Sequence, residues 1–216
     1  MKKIVAFDLD GTLLDSAKDL MLALNTLLEE LEMDTVDNKE VSNLVGDGAF
    51  AMIEKAFFIN KKRIKESKFL IHRFIQIYKN CFLKNSKLYP NTTKVLKKLQ
   101  NNDFKLFLVS NKSQYFVYKI LEHFKIRCFF SGVSGGDTFK FKKPDPRHLT
   151  ETIKQSGIEK FSCTFVGDSK NDALCAKESS SKLILMSYGY CKENIYNFNA
   201  DLVTDNLLNI PKFLKI

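Results

Sequence analysis

Hydrophobic positions along this chain fall into two regimes. Ile4-Val5-Ala6-Phe7 is a short unbroken apolar run, the pattern of a strand buried on both faces. Similar runs recur over 105–109, 128–133, 162–166 and 183–186. Between and before them, residues 91–101, 113–124, 145–156 and 170–179 place apolar side chains at helical spacing. Strands alternating with amphipathic helices predict an α/β fold, a Rossmann-like parallel sheet with helices on both faces. A last short helix is expected over 207–216.

The stretch from 16 to 85 reads differently. Leu20, Ala23, Leu24, Leu27, Leu28 and Leu31 form one apolar stripe of a helix over 16–33. Ser16 is placed to cap it, with Asp19 three residues on. Helical patterning continues over 39–85, with breaks at Gly46-Asp47-Gly48 and around residues 60–62, and no strand pattern is found. Two domains are therefore expected: a core made of 1–15 and 86–216, and an all-helical insertion over 16–85.

Composition narrows the partners. With 44% hydrophobic and 27% charged residues, the chain has an ordinary globular balance. Its net charge of +9 comes almost wholly from lysine, the arginines being Arg63, Arg73, Arg127 and Arg147. The densest basic cluster, Lys61-Lys62-Arg63-Ile64-Lys65, lacks interleaved aromatics and reads as a solvated face, so no nucleic-acid partner is expected. The apolar run after Met1-Lys2-Lys3 stops at Asp8, too soon for a signal peptide, and nothing approaches a membrane span. Five cysteines, an odd number without a C-x-x-C pair, fit free thiols in a reducing compartment. The expectation is a cytoplasmic protein, monomer or homodimer, with no membrane partner.

Candidate chemistry sits at the carboxyl ends of four predicted strands, the edge where open parallel sheets bind ligands. Asp8-Leu9-Asp10-Gly11-Thr12 follows the first. Residues two apart on extended chain project to one side, so Asp8 and Asp10 form a carboxylate pair suited to a hard cation, to nucleophilic attack and to proton transfer. The alternative is a polar turn that merely closes the strand. Ser110-Asn111 follows the second, where a hydroxyl and amides could hold a phosphate oxygen or simply cap the next helix. Lys142-Lys143-Pro144-Asp145-Pro146 offers a lysine on a stiffened turn that could neutralise a phosphoryl group, or an ordinary surface lysine. Gly167-Asp168-Ser169-Lys170-Asn171-Asp172 adds two carboxylates, Asp172 lying one helical turn beyond Asp168.

Taken together, in this order, the four motifs resemble those of the haloacid dehalogenase-like hydrolase superfamily, and the resemblance spans nearly the whole chain. It implies a helical cap over a Rossmann-like site, with Asp8 as nucleophile and Asp10 as general acid and base. It further implies that Ser110 and Lys143 bind the transferring phosphoryl group. Mg²⁺ would be held by Asp8, the backbone carbonyl of Asp10, and Asp168, with Asp172 as ligand or support. An acid at position 10 argues against the dehalogenase branch. A closer resemblance is to the bacterial phosphoglycolate phosphatase group, carried by Val45-Gly46-Asp47-Gly48-Ala49, Gly135-Gly136-Asp137, Lys142 to Pro146, Gly167 to Asp172 and Tyr188-Gly189-Tyr190.

That resemblance implies a small phosphorylated metabolite as substrate, 2-phosphoglycolate first, bound by Gly11, Thr12, Gly46, Asp47, Gly48, Ser110, Asn111 and Lys143. Asp47 stands where that group often has asparagine, and Ala176 to Ser180 departs from its small-residue run. Sugar phosphates, nucleotides, pyrophosphate or a phosphomutase reaction remain alternatives, as does a binding protein on the same scaffold. His72, His123 and His148 are expected to be structural or surface residues.

Overall fold

The computed structural model describes residues 2–216; Met1, the first residue of the expected core domain, lies outside the described residues. Strands β1 (Lys2–Phe7), β4 (Lys105–Val109), β5 (Phe130–Ser134), β6 (Phe161–Gly167), β7 (Lys182–Met186) and β8 (Leu202–Thr204) form one sheet in the order β5-β4-β1-β6-β7-β8. Every pairing in it is parallel. A separate two-stranded antiparallel pair, β2 (Leu14–Asp15) with β3 (Lys87–Leu88), marks where the chain leaves and rejoins this sheet region. Between them lie α1 (Ala17–Glu30), α2 (Val41–Leu44), α3 (Ala49–Ile59) and α4 (Ser67–Lys79). The remaining helices are α5 (Thr92–Asn101), α6 (Gln114–His123), α7 (Arg147–Lys154), α8 (Lys170–Glu178) and α9 (Asn209–Phe213).

The unbroken apolar run of β1 has a direct cause. Val5 and Phe7 face a core shared with α1, α5 and α6, while Ile4 and Ala6 face a second core shared with α7 and α8. Both faces of the strand are buried, so both phases of its two-residue repeat are apolar. Each large side chain so buried contributes roughly 1.5–3 kcal/mol relative to exposure.

Two local expectations change, and two short elements are new. The strand expected from 128 begins at Phe130, because Arg127–Phe129 forms a 3-10 turn. Strand β8 and the 3-10 turn Ile195–Phe198 are too short to declare a period in sequence. The capping box at α1 does not form: Ser16 makes no side-chain cap there. Its hydroxyl donates to Asp10 instead, while the Tyr190 hydroxyl accepts from the Ser16 and Ala17 N–H groups at 2.9 and 3.2 Å. Asp19 is fully buried and accepts from Asn85 and Ser86. Among the described residues no helix is long and apolar enough to cross a membrane, and all five cysteines are free.

Candidate active site

Phe7 pairs with Leu108 on one side and Val166 on the other, so β1, β4 and β6 end nearly level. The ladder continues one residue further: Asp8 N–H donates to Val166 O at 2.9 Å, and Ser110 N–H to Ser134 O at 3.0 Å. Backbone hydrogen bonding thus fixes Asp8 and Ser110 where the sheet stops, on rigid elements rather than free loops.

Asp8 is 8% exposed and Lys143 is 2% exposed. The Lys143 ammonium lies 2.7 Å from Asp8 Oδ1 and 2.7 Å from Asp172 Oδ1. Burial pushes the Asp8 carboxyl up to about 7; Lys143 opposes this and Asp172 adds to it. Burial also works against the charge on Lys143, but Asp172 and Asp8 outweigh it and hold the lysine above its ordinary pKa.

Asp168 and Asp172 complete this cluster. Asp168 accepts from Thr12 Oγ1 at 3.1 Å and from Tyr190 N–H at 2.7 Å. Asp172 Oδ2 accepts from the N–H groups of Asp168 and Ser169 and from Ser169 Oγ, closing a capping box at the start of α8. One oxygen each from Asp8, Asp168 and Asp172 lie within 4.8 Å of one another. Burial, then Asp172 and Asp8, push the Asp168 carboxyl well above the ordinary carboxylate range. Gly11 is required beside it. Its φ is +83°, and a Cβ there would sit 2.3 Å from Asp168 Oδ2.

Asp10 turns away from the three-carboxylate cluster. Its Oδ1 accepts from Ser16 Oγ and from Lys112 Nζ at 3.1 Å, and its Oδ2 accepts from Lys112 Nζ at 3.0 Å. Asp8 and Asp10 both line a small pocket of about 90 Å³, whose far wall is Met52, Phe74 and Tyr78 of α3 and α4. Gly46, Gly48, Ser110 and Asn111 line the same pocket. Ser110 Oγ accepts from Lys112 N–H at 3.3 Å; Asn111 Nδ2 donates to Lys143 O at 3.0 Å and to Gly46 O at 3.3 Å.

Comparison with known proteins gives the family. Residues 5–186 match the family model described as haloacid dehalogenase-like hydrolase. The chain belongs to the haloacid dehalogenase-like hydrolases. It is similar to a phosphoglycolate phosphatase of Vibrio cholerae, 39% identical over 95% of this chain and 93% of that protein. A phosphoglycolate phosphatase of Pseudomonas syringae pv. tomato is 35% identical over 96% of this chain and 78% of its own length. A crystal structure of a predicted phosphoglycolate phosphatase from Haemophilus somnus superposes with a TM-score of 0.91 at 29% identity, covering 99% of this chain and 98% of that one. The parallel-sheet α/β architecture expected from the sequence is that of these hydrolases, and the chain is an enzyme of their phosphatase class.

In this haloacid dehalogenase-like hydrolase, the cluster fits a hard divalent cation. Its donors are all oxygen, and three ionised carboxylates would face one ammonium, leaving two negative charges in a buried space. The Asp10 carboxylate is not part of that cluster, consistent with a role for it outside the cation's carboxylate ligands.

Of the expected substrate residues, Gly11, Thr12 and Lys143 lie beside Asp8 and Asp168 rather than on the pocket lining, and Asp47 lies elsewhere. Its carboxylate pairs with Lys55 and accepts from Asn171 Nδ2 at 2.6 Å, and it lines the outer groove rather than the small pocket. Two residues of the hydrolase, Lys112 and Tyr78, were not singled out from sequence. Lys112 directly follows Ser110-Asn111, a position that could have flagged it. Tyr78 belongs to an apolar helical stripe that gives no signal. His148, expected to be a structural or surface residue, is fully buried behind Lys143. Its Nδ1 accepts from Lys143 N–H at 3.2 Å and its Nε2 lies 3.1 Å from Gly135 O, which selects the Nε2–H tautomer.

Proposed function

We propose that this hydrolase is a Mg²⁺-dependent phosphatase that releases phosphate from 2-phosphoglycolate through a phosphoryl group carried on Asp8. The observation that carries the reading is the pairing of Asp8 and Asp10 at one end of a small pocket, with Lys143 bonded to Asp8 Oδ1. One Asp8 oxygen is held by Lys143, and the other attacks phosphorus. The Asp8 O–P bond forms as the ester P–O bond breaks, and Asp10 gives its proton to the departing alkoxide. Asp10 then takes a proton from water, which attacks phosphorus and breaks the Asp8 O–P bond. Lys143 and Ser110 bind the phosphoryl oxygens, with Gly11, Thr12 and Asn111 around them. Mg²⁺, held by Asp8, the Asp10 carbonyl and Asp168, with Asp172 in support, would neutralise charge on the phosphoryl group.

Residues 16–85 act as the cap in this reading, closing the pocket against bulk water. The pocket of about 90 Å³ is well below the roughly 300–1,000 Å³ of sites for larger ligands. That size supports a leaving group of a few heavy atoms over a hexose or nucleoside. The names of the curated relatives support the same substrate. The five free cysteines support a reducing, cytoplasmic setting.

The test is phosphate release from a panel of 2-phosphoglycolate, hexose phosphates, nucleotides and pyrophosphate, with and without Mg²⁺, beside Asp8→Asn. Magnesium-dependent release that favours 2-phosphoglycolate and disappears in Asp8→Asn is expected. Release that persists in Asp8→Asn would remove the nucleophile assignment, and preference for another ester would remove the substrate.

A further inference from the structure

Two features of the small pocket are not used by phosphoryl transfer. Tyr78 is 1% exposed and lines the pocket, yet its hydroxyl has no hydrogen-bond partner among the described residues. A buried, unsatisfied hydroxyl of this kind is unfavourable for folding alone. Lys112 is buried as well, at 8% exposure. Its ammonium donates to both Asp10 oxygens and lies 4.8 Å from the Tyr78 ring centroid, on the side of the pocket where the Tyr78 hydroxyl sits. The surrounding wall is apolar, formed by Leu20, Met52, Phe74 and Phe116, which strengthens any ionic contact made inside it.

We propose that Lys112 and Tyr78 together bind a carboxylate on the leaving group, and so select esters of a 2-hydroxy acid. This inference rests on the phosphatase reading above and names the residues that would give it specificity. The chemistry requires the carboxylate and the ester oxygen to approach the same side chain, Asp10. In a 2-hydroxy acid ester a single carbon separates the carboxylate carbon from that oxygen. A lysine already seated on Asp10 can therefore hold the carboxylate while Asp10 reaches the oxygen. The Tyr78 hydroxyl supplies the second donor. Burial pushes its pKa up to about 12, so it remains a donor throughout the neutral range. Neither residue touches the transferring phosphoryl group in this scheme. Both are specificity residues.

The test compares kcat/KM for 2-phosphoglycolate with that for ethyl phosphate, which carries the same phosphoryl group and no carboxylate. The wild type is expected to favour 2-phosphoglycolate by roughly 100-fold or more. Tyr78→Phe and Lys112→Met should each lower that ratio by at least about 10-fold, mostly through KM for 2-phosphoglycolate. Both rates are read on one preparation, so any inactive fraction cancels, and Tyr78→Phe keeps the ring and its packing. A wild type that treats both esters alike, or variants that keep the wild-type ratio, would overturn the assignment. In either of those cases, phosphate release that is lost in Asp8→Asn leaves the phosphatase reading standing. No release from any ester by the wild type would overturn both.

Discussion

Asn171 Nδ2 donates to Asp47 Oδ1 at 2.6 Å, joining the first turn of α8 to the loop between α2 and α3. Two other strand-end loops reach the same place. Lys142 Nζ donates to Asp47 O at 2.7 Å, and Asn111 Nδ2 to Gly46 O at 3.3 Å. The start of α8 and two loops at the sheet edge thus each send one side chain to residues 46–47. Asn171→Ala should loosen this loop while barely touching the core. Its effect on unfolding free energy should stay within about 0.5 kcal/mol, while KM should rise roughly threefold to tenfold through weaker closure. Steady-state kinetics and hydrogen exchange across 41–59 check this; unchanged KM with unchanged exchange would remove the loop from the closing step.

Asp19 holds the two ends of the helical segment together. Its carboxylate accepts from Asn85 N–H, Asn85 Nδ2, Ser86 N–H and Ser86 Oγ at 2.7 to 3.0 Å. Asp19→Ala strands these donors in a buried place and should cost about 2–4 kcal/mol. The measurement is the urea midpoint at unchanged m-value, and a loss below half a kcal/mol would refute the argument.

Asp8 should make the metal-free protein less stable as pH rises. Its native pKa of about 7 exceeds the ordinary 3.8, so the native state binds the extra proton between those values. Stability from this group is therefore present at low pH and lost as pH rises through about 7. Asp8→Asn removes the like charge, and at pH 8 without divalent cations it should be more stable than wild type by about 2 kcal/mol. That advantage should fade below pH 7. Excess MgCl₂ should raise the melting temperature of the wild type and leave Asp8→Asn nearly unmoved, the gain being about 2.7 kcal/mol at a hundredfold excess over Kd. Equal magnesium shifts in both proteins would contradict the cation assignment.

His148 contributes a pH dependence of the opposite sign. Burial and the adjacent Lys143 lower its pKa from 6.5 to about 4. Between those values the unfolded chain binds a proton that the native state does not. Stability is full above pH 6.5 and falls as pH drops toward 4, by up to roughly 3 kcal/mol. Asp8 titrates in an overlapping range, so the informative quantity is the difference between wild type and His148→Gln. Urea unfolding should show that difference flat above pH 7 and moving against the wild type toward pH 4. A difference independent of pH would mean that His148 has the same pKa in the native and unfolded states.

The core strands and the order of the elements were legible because burial writes a period into sequence. Continuous apolar runs marked the doubly covered strands, and 3.6-residue spacing marked the helices. The placement of Asp8, Ser110 and Lys143 near one sheet edge was legible because each follows a strand or precedes a helix in a recognisable motif. The two-residue strands β2 and β3, and the edge strand β8, were not, since two or three residues cannot express a period. Ser16 misled for a related reason. Its spacing to Asp19 satisfies the local capping rule, but nearby tertiary partners, Asp10 for one and Asn85 and Ser86 for the other, offered stronger bonds.

The sequence by itself determined the alternating α/β core, the long helical segment inside it, and the set of carboxylates and lysine that converge at one sheet edge. Only the tertiary structure decided how those groups are partnered. It seated Lys112 on Asp10, placed Tyr78 across the pocket without a partner, turned Asp47 toward Asn171 and buried His148 behind Lys143. Local pattern records which face of an element is buried. Which residues meet across distant elements depends on strand register and helix packing, and one chain's periodicity carries neither.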